Sequence, residues 1–443
     1  MTPPNQSSRN AHPAGFWPIC LTEFWERLAF YGLQSILVLY LTKYLFDQRT
    51  PGEIWFVAPL GRVLDVSGQA MASTITGGYM MLVAIAPLVG GIMTDRYLGA
   101  QRAILLGGAI MAVGHALMAY EPALLLALLA IGIGSGLFRG AIAGQLGTLY
   151  DNESRRVEAY QLFFLAINFA GVAGPLLIGS LAEGIGWHCG FAAAAFSMSA
   201  AMLIYLSYLN RMRTQLPAPD SHLSAHTDGE ARPWRFILPL IAGMGLLAVP
   251  NMQLFNAYLI WAERDFALAI FGFQVPASWL IGLDAALGIV ILSGSVLAWR
   301  AIEQRFGIVP SLSRMAFGSL IVCCGVCVLI GAAAFDPSDK IPLVWPIAFQ
   351  LLNGIGLAQI LPSAMAIIGG KPGGKASSTA LGAYFVTLFL ASLVSTYLAT
   401  RFGDMPVATF WMIHLGCTIV GAAILIVLKS AQARAAPSIA ARV

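Results

Sequence analysis

The residues best suited to chemistry lie in the first apolar stretch of the chain. Glu23, Glu26, Arg27 and Tyr31 follow one another there at intervals of three, one and four residues. In an α-helix, this spacing places them on one side, which lipid does not tolerate, so that side must point at a cavity or at other helices. Two carboxylates beside one guanidinium leave a carboxylate in surplus, which suits a group that binds and releases a proton. The alternative is an ion pair that only braces the bundle.

Five more polar side chains interrupt later apolar stretches. Arg139 keeps its charge at any accessible pH, so it needs an anionic partner or substrate, unless it reaches the cytoplasmic surface. Asp284 is the only acid in its stretch and could hold an ammonium group or a proton, unless it lies at the mouth of the helix. Asn168, Gln253 and Asn256 either brace kinked helices or contact a substrate.

Long apolar segments must position these side chains. The chain of 443 residues is 58% hydrophobic and 10% charged, whereas soluble domains carry about 25% charged residues. A helix of about 20 residues crosses the hydrocarbon core, and barrel strands are much shorter. The predicted spans are residues 16–45, 70–94, 102–120, 122–149, 158–183, 190–210, 234–262, 277–301, 310–334, 342–368, 376–400 and 406–428. We therefore predict an all-α integral membrane protein with twelve helices.

The basic residues predict the orientation of these helices. With both termini in the cytoplasm, Arg27 and Arg139 fall within helices, and most of the other Lys and Arg residues, out of 25 in the chain, fall on the inside. The basic residues that fall outside are Lys43, Arg49, Arg62, Arg264, Lys340 and Arg401. This bias matches the excess of positive charge in cytoplasmic loops of membrane proteins. The polar start of the chain lacks the pattern of a removable signal peptide.

One polar segment divides the chain. Residues 211–233 are rich in Pro, Ser, His and Asp and follow the sixth predicted helix. We therefore predict an N-terminal six-helix bundle (1–210), a cytoplasmic linker (211–233), a C-terminal six-helix bundle (234–430) and a cytoplasmic tail (431–443). His222 and His226 lie in the linker, where a solvated loop is favoured over a metal site.

The sequence offers little for catalysis or cofactor binding. Cys324 and Cys327 form a CxxC pair inside an apolar segment without a second pair or nearby histidines, so packing is favoured over a metal or redox site. His115 stands alone in its apolar segment. No glycine-rich phosphate loop is present, so ATP is not the expected energy source. We expect no enzyme activity, no metal, no cofactor and no nucleic-acid partner.

Several motifs resemble the proton-coupled oligopeptide transporters of the major facilitator superfamily. EFWERLAFY (residues 23–31) is similar to the family's ExxER(F)xYY signature, with Phe30 in place of the first Tyr. GGIMTDRYLGAQR (90–102) resembles the superfamily's G-x-x-x-D-R-x-x-G loop, and FFLAINFAG (163–171) resembles FYxxINxG. GWHCGF (186–191), QLFN (253–256) and WAE (261–263) are also similar to family patterns. The resemblance spans nearly the whole chain and is weaker after residue 240.

The resemblance implies a major facilitator fold, with a central cavity between two six-helix halves and alternating access. It implies that Arg27 and Arg139 meet a peptide carboxylate, and that Tyr31 and Asn168 contact the peptide backbone. Glu23, Glu26 and Arg27 would take part in proton coupling. The residues expected to bind substrate are Arg27, Tyr31, Arg139, Asn168, Gln253, Asn256 and Asp284. The residues expected to form a cytoplasmic gate are Asp95, Arg96 and Arg102.

Two charge pairs of the family are altered here. Arg139 stands where the family has Lys on helix four, and Leu357 stands where it has Glu on helix ten. Gln34 replaces a common Arg on helix one, and Met252 replaces a Glu on helix seven, so both charges of that pair are lost together. Joint loss leaves no unpaired charge in a medium of low dielectric.

Two further departures bear on the substrate. Asp284 stands where the family has Asn on helix eight, and it could replace the acid lost at Leu357. The cavity would then still offer a cation at one end and an anion at the other, which suits a zwitterion. Ala84 stands where the family has Tyr, three residues before Pro87, so the pocket could accept something bulkier than a dipeptide.

The leading hypothesis is a proton-driven importer of short peptides or peptide-like zwitterions. The alternatives are an exporter or exchanger of a larger amphipathic metabolite, such as a drug or a siderophore-like compound, and a membrane receptor that no longer transports. The short loops favour a bacterial inner-membrane protein. We expect a monomer in the lipid bilayer, with protons and a small peptide-like molecule as its partners.

Overall fold

The protein was examined as a computed structural model, which describes residues 12–150, 153–212, 234–307, 309–334, 340–369 and 378–440. Long helices dominate these residues. They are α1 (Phe16–Tyr40), α2 (Gly68–Met93), α3 (Ala100–Leu117), α4 (Leu124–Thr148), α5 (Glu153–Gly174), α6 (Trp187–Met212), α7 (Trp234–Gln253), α8 (Trp279–Phe306), α9 (Ser311–Ala332), α10 (Val344–Gly369), α11 (Ser378–Ala399) and α12 (Val407–Ala440).

Shorter elements extend or connect these helices. Short α-helices lie at Phe46–Gln48, Val57–Leu64, Ser180–Gly184 and Ala257–Asp265. Single π-helical turns lie at Leu41–Leu45, Thr94–Leu98 and Pro175–Gly179, and a 3-10 turn lies at Glu121–Ala123. The strands β1 (Ala269–Ile270) and β2 (Phe273–Gln274) form a small antiparallel hairpin.

The twelve-helix membrane architecture is confirmed. Among the described residues, eleven helical segments are long and apolar enough to cross a membrane, and α11 contributes a shorter apolar stretch, Phe385–Ala399. Large apolar side chains such as Val290, Leu297 and Phe317 are exposed on the helix surfaces. In a membrane protein, these side chains have lipid as their solvent.

Three local features differ from the predicted spans. The seventh span is broken, because α7 ends at Gln253 and a second helix begins at Ala257. Pro250, inside α7, has no N–H to donate and so weakens the helix just before this break. The helix Val57–Leu64 and the small hairpin lie between predicted spans, and α12 continues into the predicted tail as far as Ala440.

The described residues pack as two compact units. The first contains residues 12–33, 86–120, 126–150 and 153–212, and the second contains residues 34–85, 121–125 and the described residues from 234 onward. The second unit thus includes the end of α1 and most of α2. The division into bundles at 1–210 and 234–430 remains a prediction from chain topology, and residues 213–233 of the linker lie outside the described residues.

Glycine contacts set the helix spacing in the first unit. A Cβ atom on Gly174 of α5 would lie 2.8 Å from the backbone nitrogen of Gly32 and 2.8 Å from the Leu28 carbonyl oxygen. A Cβ atom on Gly90 of α2 would overlap the Gly136 carbonyl of α4. Small residues let membrane helices approach closely. These contacts pack α5 closely against α1 and α2 closely against α4, and α1 and α4 carry the charged side chains.

Large apolar side chains form the core of the second unit. Buried residues of α7, α9, α10 and α12 pack together there. They are Leu240, Met244, Leu247, Leu312, Met315, Val322, Ile360, Ala364, Ile367 and Leu425. Leu357, which stands where the family has an acid, packs against this core as an apolar side chain.

Candidate functional site

The charged side chains of α1 form a compact buried cluster in the first unit. Arg27 Nε lies 2.6 Å from Glu23 Oε1 and 3.0 Å from Glu26 Oε2. The exposed fractions of Glu23, Glu26 and Arg27 are 2%, 1% and 5%. Among the residues that the structure describes, Glu23 Oε2 and both carboxylate oxygens of Glu26 accept no hydrogen bond. Arg27 Nε therefore donates to Glu23 and lies within ion-pair distance of Glu26, whose two oxygens are both unused as hydrogen-bond acceptors.

Arg139 of α4 joins this cluster from the neighbouring helix. Its guanidinium carbon lies 4.1 Å from the centre of the Phe30 ring, and that of Arg27 lies 5.6 Å from the same centre. Arg139 also interacts electrostatically with Glu26. Phe30, which stands where the family has Tyr, is therefore an aromatic surface for two cations. The cluster contains two acids and two bases, whereas the sequence suggested two acids and one base.

Tyr31 and Asn168 lie in the same unit and are half-buried. The Tyr31 ring packs edge-on against Phe30, with 5.2 Å between the ring centres. Asn168 Nδ2 donates to the Phe164 carbonyl at 2.9 Å, one turn earlier on α5. The oxygen of the same side-chain amide, Asn168 Oδ1, remains available to accept a hydrogen bond. A role of either residue in substrate binding remains a prediction.

The predicted cytoplasmic gate residues lie at the end of α2 and the start of α3. Asp95 and Arg96 belong to the π-helical turn Thr94–Leu98, and Arg102 lies in the first turn of α3. All three are exposed. Within the described ranges, none of them forms an ion pair. The turn between the helices uses Gly99 with a φ of +72°, a conformation that favours glycine.

The second unit holds the polar residues of α7. Gln253 is fully buried, and its amide nitrogen donates to the Ser395 carbonyl at 2.8 Å and contacts His414 Nε2 at 3.0 Å. Asn256 lies in the break after α7, and its side-chain nitrogen donates to the Ser73 carbonyl of α2 at 3.0 Å. In this structure both amides connect helices, and their predicted contact with substrate remains untested.

Asp284 is half-buried in the apolar helix α8 of the second unit. It interacts electrostatically with Tyr258, whose hydroxyl oxygen accepts a hydrogen bond from Gln350 Nε2 at 3.3 Å. No basic side chain of the described residues forms an ion pair with Asp284. An acid in this setting can bind a proton or an ammonium group, as the sequence suggested.

The altered pair of helix one and helix seven carries no charge. Gln34 Nε2 donates to Met80 Sδ at 2.8 Å, and Ser392 Oγ donates to Met252 Sδ at 3.4 Å. Both thioethers line a small cavity in the second unit, together with Gly77, Asn256, Ser392, Ser395 and Thr396. Thioether sulfur is a weak acceptor, so these contacts do not replace the lost ion pair.

Two features of the second unit were not predicted from the sequence. Lys43, in the π-helical turn that follows α1, forms an ion pair with Glu263 in the helix Ala257–Asp265. His414 is fully buried on α12 and contacts Gln253. The WAE motif contains Glu263 but does not reveal its partner 220 residues away. For His414, the only available signal was a histidine inside an apolar span.

The described residues contain no cluster of three or more His, Cys, Asp or Glu side chains suited to hold a metal ion. The six cysteines of the chain are free thiols, and Cys324 and Cys327 are both exposed on the surface of α9.

Comparison with known proteins supports the family resemblance. The family model of the Major Facilitator Superfamily matches residues 27–396. A di-/tripeptide transporter of Lactococcus lactis subsp. lactis (strain IL1403) is 30% identical over a region that covers 61% of this chain and 52% of that transporter. A peptide transporter of Yersinia enterocolitica subsp. palearctica serotype O:3 (strain YE-P4) is 34% identical over 44% of this chain and 37% of the relative. The chain thus spans about half, or less, of the length of these curated relatives.

A solved structure shows the same fold. The crystal structure of a POT family transporter in complex with 5-aminolevulinic acid superposes with a TM-score of 0.77, at 17% identity, over 94% of this chain and 96% of that one. The expectation of a major facilitator fold is thereby confirmed. Because the family model matches most of the chain, the chain belongs to the Major Facilitator Superfamily, and its resemblance to the oligopeptide transporter family within it is confirmed.

Proposed function

We propose that this protein is a secondary active transporter that couples proton movement to the import of short peptides or peptide-like zwitterions. The observation that carries this proposal is the buried cluster of Glu23, Glu26, Arg27 and Arg139. Charges are costly inside a membrane protein and are kept mainly where they function. The relatives named as peptide transporters support the substrate class.

The charge count of the cluster suggests how coupling works. With both glutamates ionised, two negative charges balance Arg27 and Arg139. Adding a proton to Glu26 leaves one positive charge without compensation. A substrate carboxylate can then restore the balance by binding to the arginines, which present planar donors suited to carboxylates. Proton binding and carboxylate binding would thus favour each other.

The other end of a zwitterion needs an anion. We assign the substrate amine to Asp284, which lies half-buried without a basic partner among the described residues. The neighbour that binds 5-aminolevulinic acid supports this class of substrate, because that compound carries an amine and a carboxylate without a peptide bond. Tyr31, Asn168, Gln253 and Asn256 are proposed to contribute the neutral polar contacts.

The remaining assignments follow from this function. The two predicted six-helix bundles would alternate in exposing the site, with Asp95, Arg96 and Arg102 at the cytoplasmic gate. We place the protein in a bacterial inner membrane, as a monomer with both termini in the cytoplasm. It would need only the proton gradient, without a cofactor, and it would catalyse no covalent chemistry.

The test is uptake of labelled dialanine into proteoliposomes under an inward proton gradient, with a panel of small peptides as competitors. Wild-type protein should accumulate dialanine, and Glu26→Gln should abolish accumulation. Glu53→Gln is the matched control, because Glu53 is an exposed loop residue outside the cluster. Asp284→Asn should weaken competition by dipeptides more than competition by N-acetylated peptides, which carry no amine. Equal effects on both would refute the assignment of Asp284.

A second candidate is an exporter or exchanger of a larger amphipathic metabolite. It is favoured by Leu357, Ala84 and Met252, which replace polar family residues with apolar side chains. Folded protein that shows neither uptake nor competition would support this candidate over peptide import. A transport-dead receptor is less well supported, because it has no need of three buried charges beside the half-buried Arg139.

A further inference from the structure

A buried polar trio in the second unit is separate from the charged cluster of α1. It consists of His414 on α12, Gln253 at the end of α7 and Ser395 on α11. His414 and Gln253 are fully buried, and Ser395 is 3% exposed. Gln253 Nε2 lies 3.0 Å from His414 Nε2 and 2.8 Å from the Ser395 carbonyl oxygen.

The hydrogen bonds fix the protonation of the histidine in this state. His414 Nδ1 lies 2.8 Å from the Phe410 carbonyl oxygen, which can only accept, so Nδ1 carries a hydrogen. The Gln253 amide nitrogen can only donate, and the Ser395 carbonyl requires this orientation of the amide. His414 Nε2 must therefore accept, and the imidazole is neutral.

Adding a proton to His414 Nε2 would change this arrangement. The N–H groups of His414 Nε2 and Gln253 Nε2 are both donors, and they would then face each other with 3.0 Å between the nitrogens. Rotation of the Gln253 amide would let Oε1 accept from the new Nε2–H, but it would also turn this oxygen toward the Ser395 carbonyl, so the side chain must move away from Ser395 as it rotates. In the present state, Gln253 Oε1 is buried and has no hydrogen-bond partner among the described residues. Rotation together with this movement would give the oxygen a donor, which is a second possible arrangement of the trio.

The described surroundings of His414 contain neither a basic side chain that would repel this proton nor an acid that would hold it. Of the helices packed near it, α7 contributes Gln253, α11 contributes Ser395, and α9, which packs along α12, contributes Cys323 beside Thr418. Within the described part of the chain, no charged side chain interacts electrostatically with the imidazole. The rings of Phe410 and Trp411 lie 4.4 Å and 5.0 Å from it, between centres. Aromatic rings of this kind can stabilise an imidazolium cation.

The trio is connected to the contact between α7 and α2. Gln253 is the last residue of α7, and its carbonyl accepts the Asn256 backbone N–H at 2.9 Å. Asn256 in turn donates to the Ser73 carbonyl of α2. Ser395, Asn256 and Met252 line the same small cavity. Met252, beside Gln253, stands where the family has an acid.

We propose that His414 is a second proton-binding site, and that its proton moves Gln253 from Ser395 to the histidine and thereby adjusts the break that carries Asn256. The proton adds to the Nε2 lone pair, and no other covalent bond changes. The binding of the proton does not depend on the proposed function, whereas its effect on transport does.

The first experiment observes the proton directly. Purified protein with ¹⁵N-labelled histidine would be studied in nanodiscs by two-bond ¹H–¹⁵N correlation from about pH 8 to about pH 3, below the usual range of histidine, because burial away from acids opposes the charge of an imidazolium. The signals lost in His414→Gln assign this residue, and His115→Gln is the matched control at another buried histidine. We expect an Nδ1–H tautomer at high pH that converts to imidazolium. A neutral ring throughout, or an Nε2–H tautomer at high pH, would overturn the proposal.

The second experiment tests the link to transport. His414→Gln should lower gradient-driven accumulation of dialanine by about tenfold, and it should leave exchange of dialanine across the membrane within about twofold, as expected for loss of a coupling. Unchanged accumulation would contradict the coupling role. If the wild-type protein transports no peptide, the proposed function fails, and the titration of His414 still decides the proton site.

Discussion

Arg27 contacts two carboxylates with one nitrogen, and this geometry depends on the guanidinium. Lysine would keep the charge but replace the planar group with a compact ammonium. We expect Arg27→Lys to fold and to lose at least about tenfold of gradient-driven uptake, as typical of a lost coupling. Arg27→Leu leaves buried carboxylates unpaired, which costs about 3–5 kcal/mol, so it should unfold at a lower temperature than Arg27→Lys. Uptake assays and thermal unfolding in detergent measure the two effects.

The same pair of variants tests the bracing alternative. If the cluster only braced the bundle, Arg27→Lys would retain wild-type uptake, and loss of function would follow loss of stability. If Arg27→Lys instead loses uptake and keeps its thermal stability, transport depends on the arrangement of the charges and not only on their presence.

Phe30 provides a second test at the level of single residues. Its ring lies under the Arg139 guanidinium at 4.1 Å. Phe30→Leu keeps an apolar side chain and removes the aromatic surface, which is worth about 1 kcal/mol, so we expect about a fivefold weaker apparent affinity for substrate. Phe30→Tyr restores the family residue and should stay close to wild type. Concentration dependence of uptake measures both, and equal affinity of wild type and Phe30→Leu would contradict a role for the ring.

Individual candidate residues were found from the sequence more readily than their contacts. Buried charges stand out in an apolar chain, so Glu23, Glu26, Arg27 and Arg139 were all identified. The position of Arg139 over Phe30 depends on how α1 and α4 cross, which no local pattern encodes. His414 was missed because one histidine in an apolar span has the same pattern whether it packs or binds a proton.

At the level of helices, Gly90 and Gly91 have different roles despite their adjacency in one motif. A Cβ atom on Gly90 would overlap the Gly136 carbonyl, whereas one on Gly91 would meet nothing within 4 Å. The Gly136 backbone cannot move as a side chain can. We expect Gly90→Ala to destabilise the protein by about 1–3 kcal/mol, as overpacking does.

Gly91→Ala is the matched control for this prediction. It adds the same methyl group on the same helix and should unfold at the wild-type temperature or slightly above it, because alanine favours the helix. Thermal unfolding of the purified variants in detergent measures the difference. Equal stability of the two variants would mean that α2 and α4 separate easily at this contact.

The helices themselves were largely predictable because hydrophobic length determines a membrane span. Each predicted span contains one long helix of the structure, with ends that differ by several residues. The predicted span runs through the break after Gln253, because Leu254 and Phe255 continue the apolar run between Gln253 and Asn256. Hydropathy reports whether a residue suits lipid, whereas the break depends on Pro250 and on the side-chain bonds of Gln253 and Asn256.

At the scale of the whole molecule, the second unit joins helices from both ends of the sequence. Lys43 in the turn after α1 pairs with Glu263, Asn256 donates to Ser73 of α2, and Gly77 of α2 lies tightly against Thr396 of α11. The predicted topology places Lys43 and Glu263 outside. With that predicted orientation, we infer that these contacts close the outer end within this unit, by an ion pair that differs from the lost pair of Gln34 and Met252.

This closure leads to the last prediction, which concerns the cycle as a whole. The side chains of Lys43 and Glu263 are 39% and 29% exposed, and such pairs contribute at most about 1 kcal/mol. An alternating-access transporter gains from a weak outer contact, because the contact must open in every cycle. Lys43→Glu places two acids together, so we expect it to disfavour closure and to slow uptake by about two- to fivefold. The double variant Lys43→Glu/Glu263→Lys restores the opposite charges and should recover at least half of the wild-type rate.

Arg401→Glu is the control, because Arg401 and its partner Asp404 lie in the same loop, so their ion pair does not join two helices. If the double variant is no faster than Lys43→Glu alone, the two residues do not act as a pair during transport, and the outer end must be held by the contacts of Asn256 and Gly77.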